Sequence, residues 1–305
     1  MSAKSFFKEL WKSIKEIISE TLNENMGNTS EPSQPTTEHV QPTTEQSQPA
    51  LPNQQQTNTF SFNPPAWDKC TKSSNWHGAN ASQRMMNILS PKMSDGTFNN
   101  RLKFIKSRGC NTVNLILCNK ADGESGGYSI YGSSFDWSID KSYCDKMLER
   151  IQKIAKEGFG IVLWLTTDDS DDWNSKMISN PSKYVSDLDS LGFFKYASTV
   201  VIGLEADEYW KSSSQISSMY KAVKSKYNGK VGVHQKSGEY GYMKLVDIAF
   251  VQVNPGTSKD KIKSFVKNVK AKTGKPVCMF EMERQEDRGR CEAAFDAGAF
   301  SVGNW

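Results

Sequence analysis

At 305 residues the chain has room for one large domain or two small ones, and a formal net charge of +4 gives it no basic footprint of the kind that grips nucleic acid. No stretch approaches the length and apolarity of a membrane span. The six cysteines (Cys70, Cys110, Cys118, Cys144, Cys278 and Cys291) are scattered, with no C-x-x-C pair and no histidine at ligand spacing; this argues against a zinc site, and neither metal nor cofactor is expected.

The first elements are modular. Phe6, Phe7, Leu10, Trp11, Ile14, Ile17, Ile18 and Leu22 recur at three- and four-residue steps, which predicts an amphipathic helix over residues 1–26. Lys4, Lys8, Lys12 and Lys15 break up any apolar core that a secretory signal would need, and Glu9, Glu16, Glu20 and Glu24 balance their charge. Such a stripe suits docking on another protein or self-association better than an anionic membrane surface or the chain's own core. Residues 27–59 are rich in Pro, Gln, Thr, Ser and Glu, with a near-repeat in Gln34-Pro-Thr-Thr-Glu38 and Gln41-Pro-Thr-Thr-Glu45. They hold too little apolar surface to offset the entropy of ordering and read as a flexible linker.

From residue 60 to the end, short apolar runs alternate with helix-like segments, the pattern of βα units around a parallel sheet. Eight strands are expected: Trp67–Lys72, Thr112–Cys118, Gly160–Thr166, Thr199–Leu204, Lys230–His234, Ile248–Val253, Pro276–Phe280 and Ala299–Gly303. Runs such as Val113-Asn-Leu-Ile-Leu117 and Ile161-Val-Leu-Trp-Leu165 are nearly continuous apolar stretches, as strands buried on both faces must be. Helices are expected over Thr97–Arg108, Ser142–Lys156, Pro181–Tyr196, Gln215–Tyr227, Lys259–Lys272 and Arg288–Ala297. The fold class is therefore α/β, a (β/α)8 TIM barrel lacking a final outer helix.

In such barrels chemistry sits at the C-terminal ends of the strands. The fourth expected strand closes as Val200-Val-Ile-Gly-Leu-Glu205-Ala-Asp-Glu208-Tyr-Trp210, and the seventh as Lys275-Pro-Val-Cys-Met-Phe-Glu281-Met-Glu283-Arg284. Here the sequence resembles the clan A glycoside hydrolases, which carry an Asn-Glu acid/base after strand four and a glutamate nucleophile after strand seven. The resemblance matches Asp207-Glu208 to the first motif, with Asp in place of Asn, and Glu281 to the second; Glu205 and Glu283 are the alternates. It also matches Trp305, at the end of strand eight, to an aromatic residue of the clan.

The chemistry needs two carboxyl groups, one protonated to release the leaving oxygen and one ionised to attack the sugar carbon, about 5–5.5 Å apart in a retaining enzyme. Acidic residues at strand ends also cap helices and pair with cations, so sugar binding without cleavage and a purely structural role remain alternatives. Trp76, Trp137, Trp173 and Trp210 follow strands and read either as loop packing or as stacking surfaces for sugar. His77, Asn119, Gln252 and Asn254 are candidate partners for a substrate. The acidic run Asp168-Asp-Ser-Asp-Asp172 lacks EF-hand spacing and reads as a solvated loop.

A carbohydrate partner at the barrel mouth, combined with a sticky helix on a long tether, suits display from a larger assembly. A bacteriophage virion is the expectation, the protein being made in the host cytoplasm without a signal peptide. A non-catalytic carbohydrate-binding or decoration protein of the virion is the alternative, and a free cytoplasmic glycosidase a third.

Overall fold

The computed structural model describes residues 87–107, 112–120, 127–167, 171–210, 212–236, 240–254, 256–280 and 288–303. The expected N-terminal helix, the linker and the first expected strand lie outside these residues. The chain separates into two units, 1–55 and 56–305, and every described residue belongs to the second.

Among the described residues, seven strands form one parallel sheet whose spatial order is the chain order: β1 Thr112–Ile116, β2 Gly160–Trp164, β3 Thr199–Val201, β4 Lys230–Gln235, β5 Ile248–Val251, β6 Val277–Met279 and β7 Ser301–Val302. Each falls within or across the matching apolar run of the sequence. Helices fill the connections: α1 Asp95–Ser107, α2 Lys141–Lys156, α3 Asp171–Ser179, α4 Pro181–Ser190, α5 Ala206–Tyr209, α6 Ser213–Lys224, α7 Lys259–Thr273 and α8 Arg288–Asp296. This is a parallel α/β half-barrel of seven strands.

Local chemistry sets the helix limits. Asp140 Oδ1 accepts the Tyr143 N–H at 3.1 Å to open α2, Asn180 with Pro181 opens α4, and Ser212 with Gln215 forms a capping box at α6. Gly274, at φ 67°, closes α7 in a left-handed conformation that a side chain would strain.

Two helices were not legible as such. Residues 171 and 172 of the acidic run open α3, whose Trp173, Asn174 and Met177 are buried, and Asp172 pairs with Lys120 at 2.7 Å. The single turn of α5 lies directly after β3, where the sequence shows only a strand ending in acids. The expected helix from Pro181 to Tyr196 breaks at Gly192 (φ 86°) and resumes as a 3-10 turn, Phe193–Tyr196.

Alternation divides the sheet's two faces. Val113, Leu115, Ile161, Leu163, Val200, Val231, Val233, Ala249 and Val251 pack in the layer shared with the helices. Ile116, Val162, Trp164, Val201, Leu204, Ile248, Phe250, Cys278 and Phe280 form a second cluster on the inner face. The Trp164 ring lies 4.8 Å from Phe280, 5.6 Å from Phe250 and 5.7 Å from His234. Its indole N–H donates to Asn114 Oδ1 at 2.7 Å, which explains a polar residue inside an otherwise apolar strand.

Gly232 on β4 makes this inner packing possible, because a Cβ there would stand 2.5 Å from the Phe250 ring. Gly232→Ala is expected to destabilise the fold by about 1–3 kcal/mol through overpacking, measured by urea unfolding; an unchanged midpoint would show that the ring moves aside freely.

Arg150 of α2 is fully buried. Its guanidinium donates to the carbonyls of Ile88, Ser90 and Met93, faces the Phe98 ring at 5.3 Å and reaches Asp95 at 3.5 Å. It thereby ties the segment before α1 to α2.

Candidate active site

The β-type hydrogen bonding of β3 continues past Val201, with Ile202 N–H donating to the Gly232 carbonyl at 2.9 Å and His234 N–H to that of Gly203 at 3.1 Å. The chain then turns abruptly at Glu205, which adopts left-handed dihedrals (φ 45°, ψ 46°) and leads into α5. A non-glycine residue pays about 1–2 kcal/mol for that conformation, and such strain persists only where neighbours fix it.

The neighbours come from β4 and β5. The Glu205 N–H donates to His234 Nδ1 at 3.0 Å. A backbone nitrogen always carries its hydrogen, so Nδ1 must offer a lone pair, and the neutral ring carries its proton on Nε2. Burial favours that neutral state, pushing the His234 pKa down to about 3. From just beyond β5, Gln252 Nε2 donates to Glu205 Oε1 at 3.0 Å. From just beyond β4, the Lys236 ammonium lies 3.5 Å from Glu205 Oε2 and 2.9 Å from Glu208 Oε1.

Glu205 is buried, and desolvation raises its carboxyl pKa above the ordinary range; the Gln252 hydrogen bond and the Lys236 charge pull the other way, and Glu208 adds to the rise. Glu208, on α5, is 44% exposed in an ordinary ion pair. Asp207 Oδ1 accepts the Lys236 backbone N–H at 2.9 Å.

The structure thus brings Glu205, Asp207, Glu208 and Gln252 to one place at the C-terminal ends of β3, β4 and β5. Asn119 is buried beyond β1, its backbone paired in both directions with Tyr128. Asn254 is exposed, and its carbonyl accepts from Thr257 and from Arg290 Nη2. Glu281, Glu283, Trp76, His77 and Trp305 lie outside the described residues. Trp173 and Trp210 are buried, Trp173 at 5.5 Å from Phe135, so of the two readings they take that of packing. Trp137 is half-buried among Tyr131 and Phe135, beneath the Lys183 ammonium at 5.5 Å.

Sequence reasoning did not single out His234 or Lys236. The available signal was weak: a histidine, one of three in the chain, at an inward position of a valine-rich strand, followed two residues later by a lysine.

A stability signature follows from the burial of Glu205. Folding favours its protonated form, so the native state binds more protons than the unfolded chain between the ordinary carboxyl pKa and the raised one. Its contribution to stability therefore falls as pH rises through that window. Glu205→Gln is expected to be more stable than wild type at neutral pH, with the difference shrinking below the ordinary carboxyl pKa; a difference independent of pH would contradict this.

No protein-family model matches the sequence, and the comparison with curated proteins finds no match. Solved structures do match. A glycoside hydrolase of family 5 from Bacteroides vulgatus superposes with a TM-score of 0.53 at 17% identity, over 75% of this chain and 57% of that one. A GH113 β-1,4-mannanase superposes with a TM-score of 0.50 at 13% identity, over 74% and 84%. The fold is that of glycoside hydrolase barrels. At these identities the likeness is one of fold, and the chain spans about half the length (48%) of a further Bacteroides vulgatus chain that it matches with a TM-score of 0.51 at 14% identity. In this parallel α/β fold, the Glu205 cluster lies at the C-terminal strand ends, where barrels of this kind carry their chemistry.

Proposed function

We propose that the barrel binds a glycan across its mouth and cleaves it by a retaining two-carboxylate mechanism, with Glu205 as proton donor and Glu281 as nucleophile. One observation carries the choice of Glu205 over Glu208: it is the buried carboxyl at the end of β3, with its pKa raised by desolvation, whereas Glu208 sits in an exposed ion pair. A general acid must hold its proton more tightly than an ordinary carboxyl, and burial moves Glu205 in that direction. Gln252 donates to Oε1, so Oε2, which faces the Lys236 ammonium at 3.5 Å, is the oxygen that would carry the proton toward the leaving oxygen. In the second half of the reaction the same carboxylate would take a proton from water as that water displaces Glu281 from the sugar carbon.

A panel of chromogenic glycosides and bacterial polysaccharides tests this reading, with the product anomer followed by NMR. Turnover with retained configuration is expected; inversion refutes the mechanism.

The second reading is a carbohydrate-binding barrel without turnover. It is favoured by the ammonium shared between Glu205 and Glu208, which opposes protonation of Glu205. Saturable polysaccharide binding with no hydrolysis by the wild type would select it.

The same proposal places the barrel on a larger assembly, a bacteriophage particle, with residues 1–26 as the docking helix and 27–59 as its tether. The support is the apolar stripe and the linker composition. A chain lacking residues 1–26 that still co-sediments with the assembly would refute the docking role.

A further inference from the structure

Asp207 and Glu208, adjacent on the single turn of α5, both engage Lys236, one through its backbone and the other through its head. Asp207 Oδ1 takes the Lys236 N–H at 2.9 Å, and Glu208 Oε1 takes the ammonium at 2.9 Å. A lysine side chain has four rotatable bonds and on an open surface would sample many rotamers. Anchored at both ends, this one is held with its charge 3.5 Å from Glu205 Oε2.

We infer that Lys236 is a positioning residue whose ammonium, clamped by Asp207 and Glu208, sets the proton affinity of Glu205. The inference rests on the proposed role of Glu205 as proton donor.

The groups facing Glu205 define the balance. On β4 and just beyond it stand His234, neutral and engaged with the Glu205 N–H, and Lys236; beyond β5 stands Gln252, uncharged; on α5 stand the carboxyl groups of Asp207 and Glu208. Among these described residues Lys236 supplies the positive charge. Without it, burial and the neighbouring carboxylates would all favour protonated Glu205, and the group would release its proton too reluctantly to accept one back in the second half-reaction. With it, the carboxyl can serve in both directions. The acidic doublet, which in the sequence looks like the acid/base motif itself, instead holds the cation that tunes it.

The test is a carbon-13 NMR titration of protein labelled at glutamate carboxyls, with the Glu205 resonance assigned by its loss in Glu205→Gln. Wild type, Lys236→Met and Lys236→Arg are compared, with circular dichroism to establish folding and Lys236→Gln used in place of Met if that variant does not fold. The Glu205 midpoint is expected to move upward in the Met or Gln variant and to return to the wild-type position with Arg, which keeps the charge. An unchanged or lowered midpoint on removing the charge, or a failure of Arg to restore it, overturns the inference. On a substrate that is turned over, the alkaline limb of kcat/KM should shift in the same direction. The titration needs no turnover, so a wild type that cleaves no glycoside refutes the hydrolase reading without deciding this one.

Discussion

Glu205→Gln is expected to lower kcat on an unactivated glycoside by about 10²–10⁴-fold, the usual contribution of a positioned general acid. On an aryl glycoside with a strongly acidic phenol the loss in the glycosylation step should be far smaller, because that leaving group departs without a proton. The amide is isosteric and can still meet the Gln252 side chain, so glycan affinity should change little. Glu208→Gln separates the two carboxylates. Its partner Lys236 is partly exposed and the pair is solvent-screened, so the variant should lose much less than Glu205→Gln. Equal losses in the two variants, or the same loss on activated and unactivated substrates, would remove Glu205 from the role of acid.

Arg150→Ala should have the largest effect on stability, about 3–5 kcal/mol, since an unsatisfied buried polar group costs about 1–3 kcal/mol and this change deprives several carbonyls of their donor. The guanidinium satisfies the carbonyls of Ile88, Ser90 and Met93 and packs on Phe98, so its removal leaves buried acceptors without donors and opens a cavity as well. Asp95, half exposed, can rehydrate and adds little. Denaturant unfolding with a matched Lys141→Ala control, whose i,i+4 pair with Asp145 is exposed, measures the contrast. A loss below about 1 kcal/mol would mean that water replaces the arginine.

The sheet was legible because strands buried on both faces must be apolar throughout, and Ile161-Val-Leu-Trp on β2 meets that demand with alternate residues for the helix layer and the inner cluster. Even Asn114, the apparent blemish in β1, proved to have a buried donor waiting in Trp164. The acid cluster was harder to read. Glu205, Asp207 and Glu208 fall within four residues after an apolar run, and which of them faces the core depends on one left-handed residue that no periodicity announces. His234, Lys236 and Gln252 reach Glu205 from two other strands, and contacts between distant strand ends leave no mark on sequence spacing. The helix α3 escaped because an acid-rich run looks like a solvated loop until Trp173 and Met177 are seen to bury its far side.

Azide rescue tests the central claim most directly. In a retaining glycosidase without its acid/base, a small anion can attack the glycosyl-enzyme without needing a proton to be removed. Glu205→Ala, given an activated aryl glycoside and sodium azide, should regain turnover and release the glycosyl azide with the configuration of the substrate. Rescue in Glu208→Ala with none in Glu205→Ala would move the acid/base role to Glu208 and contradict the assignment to Glu205.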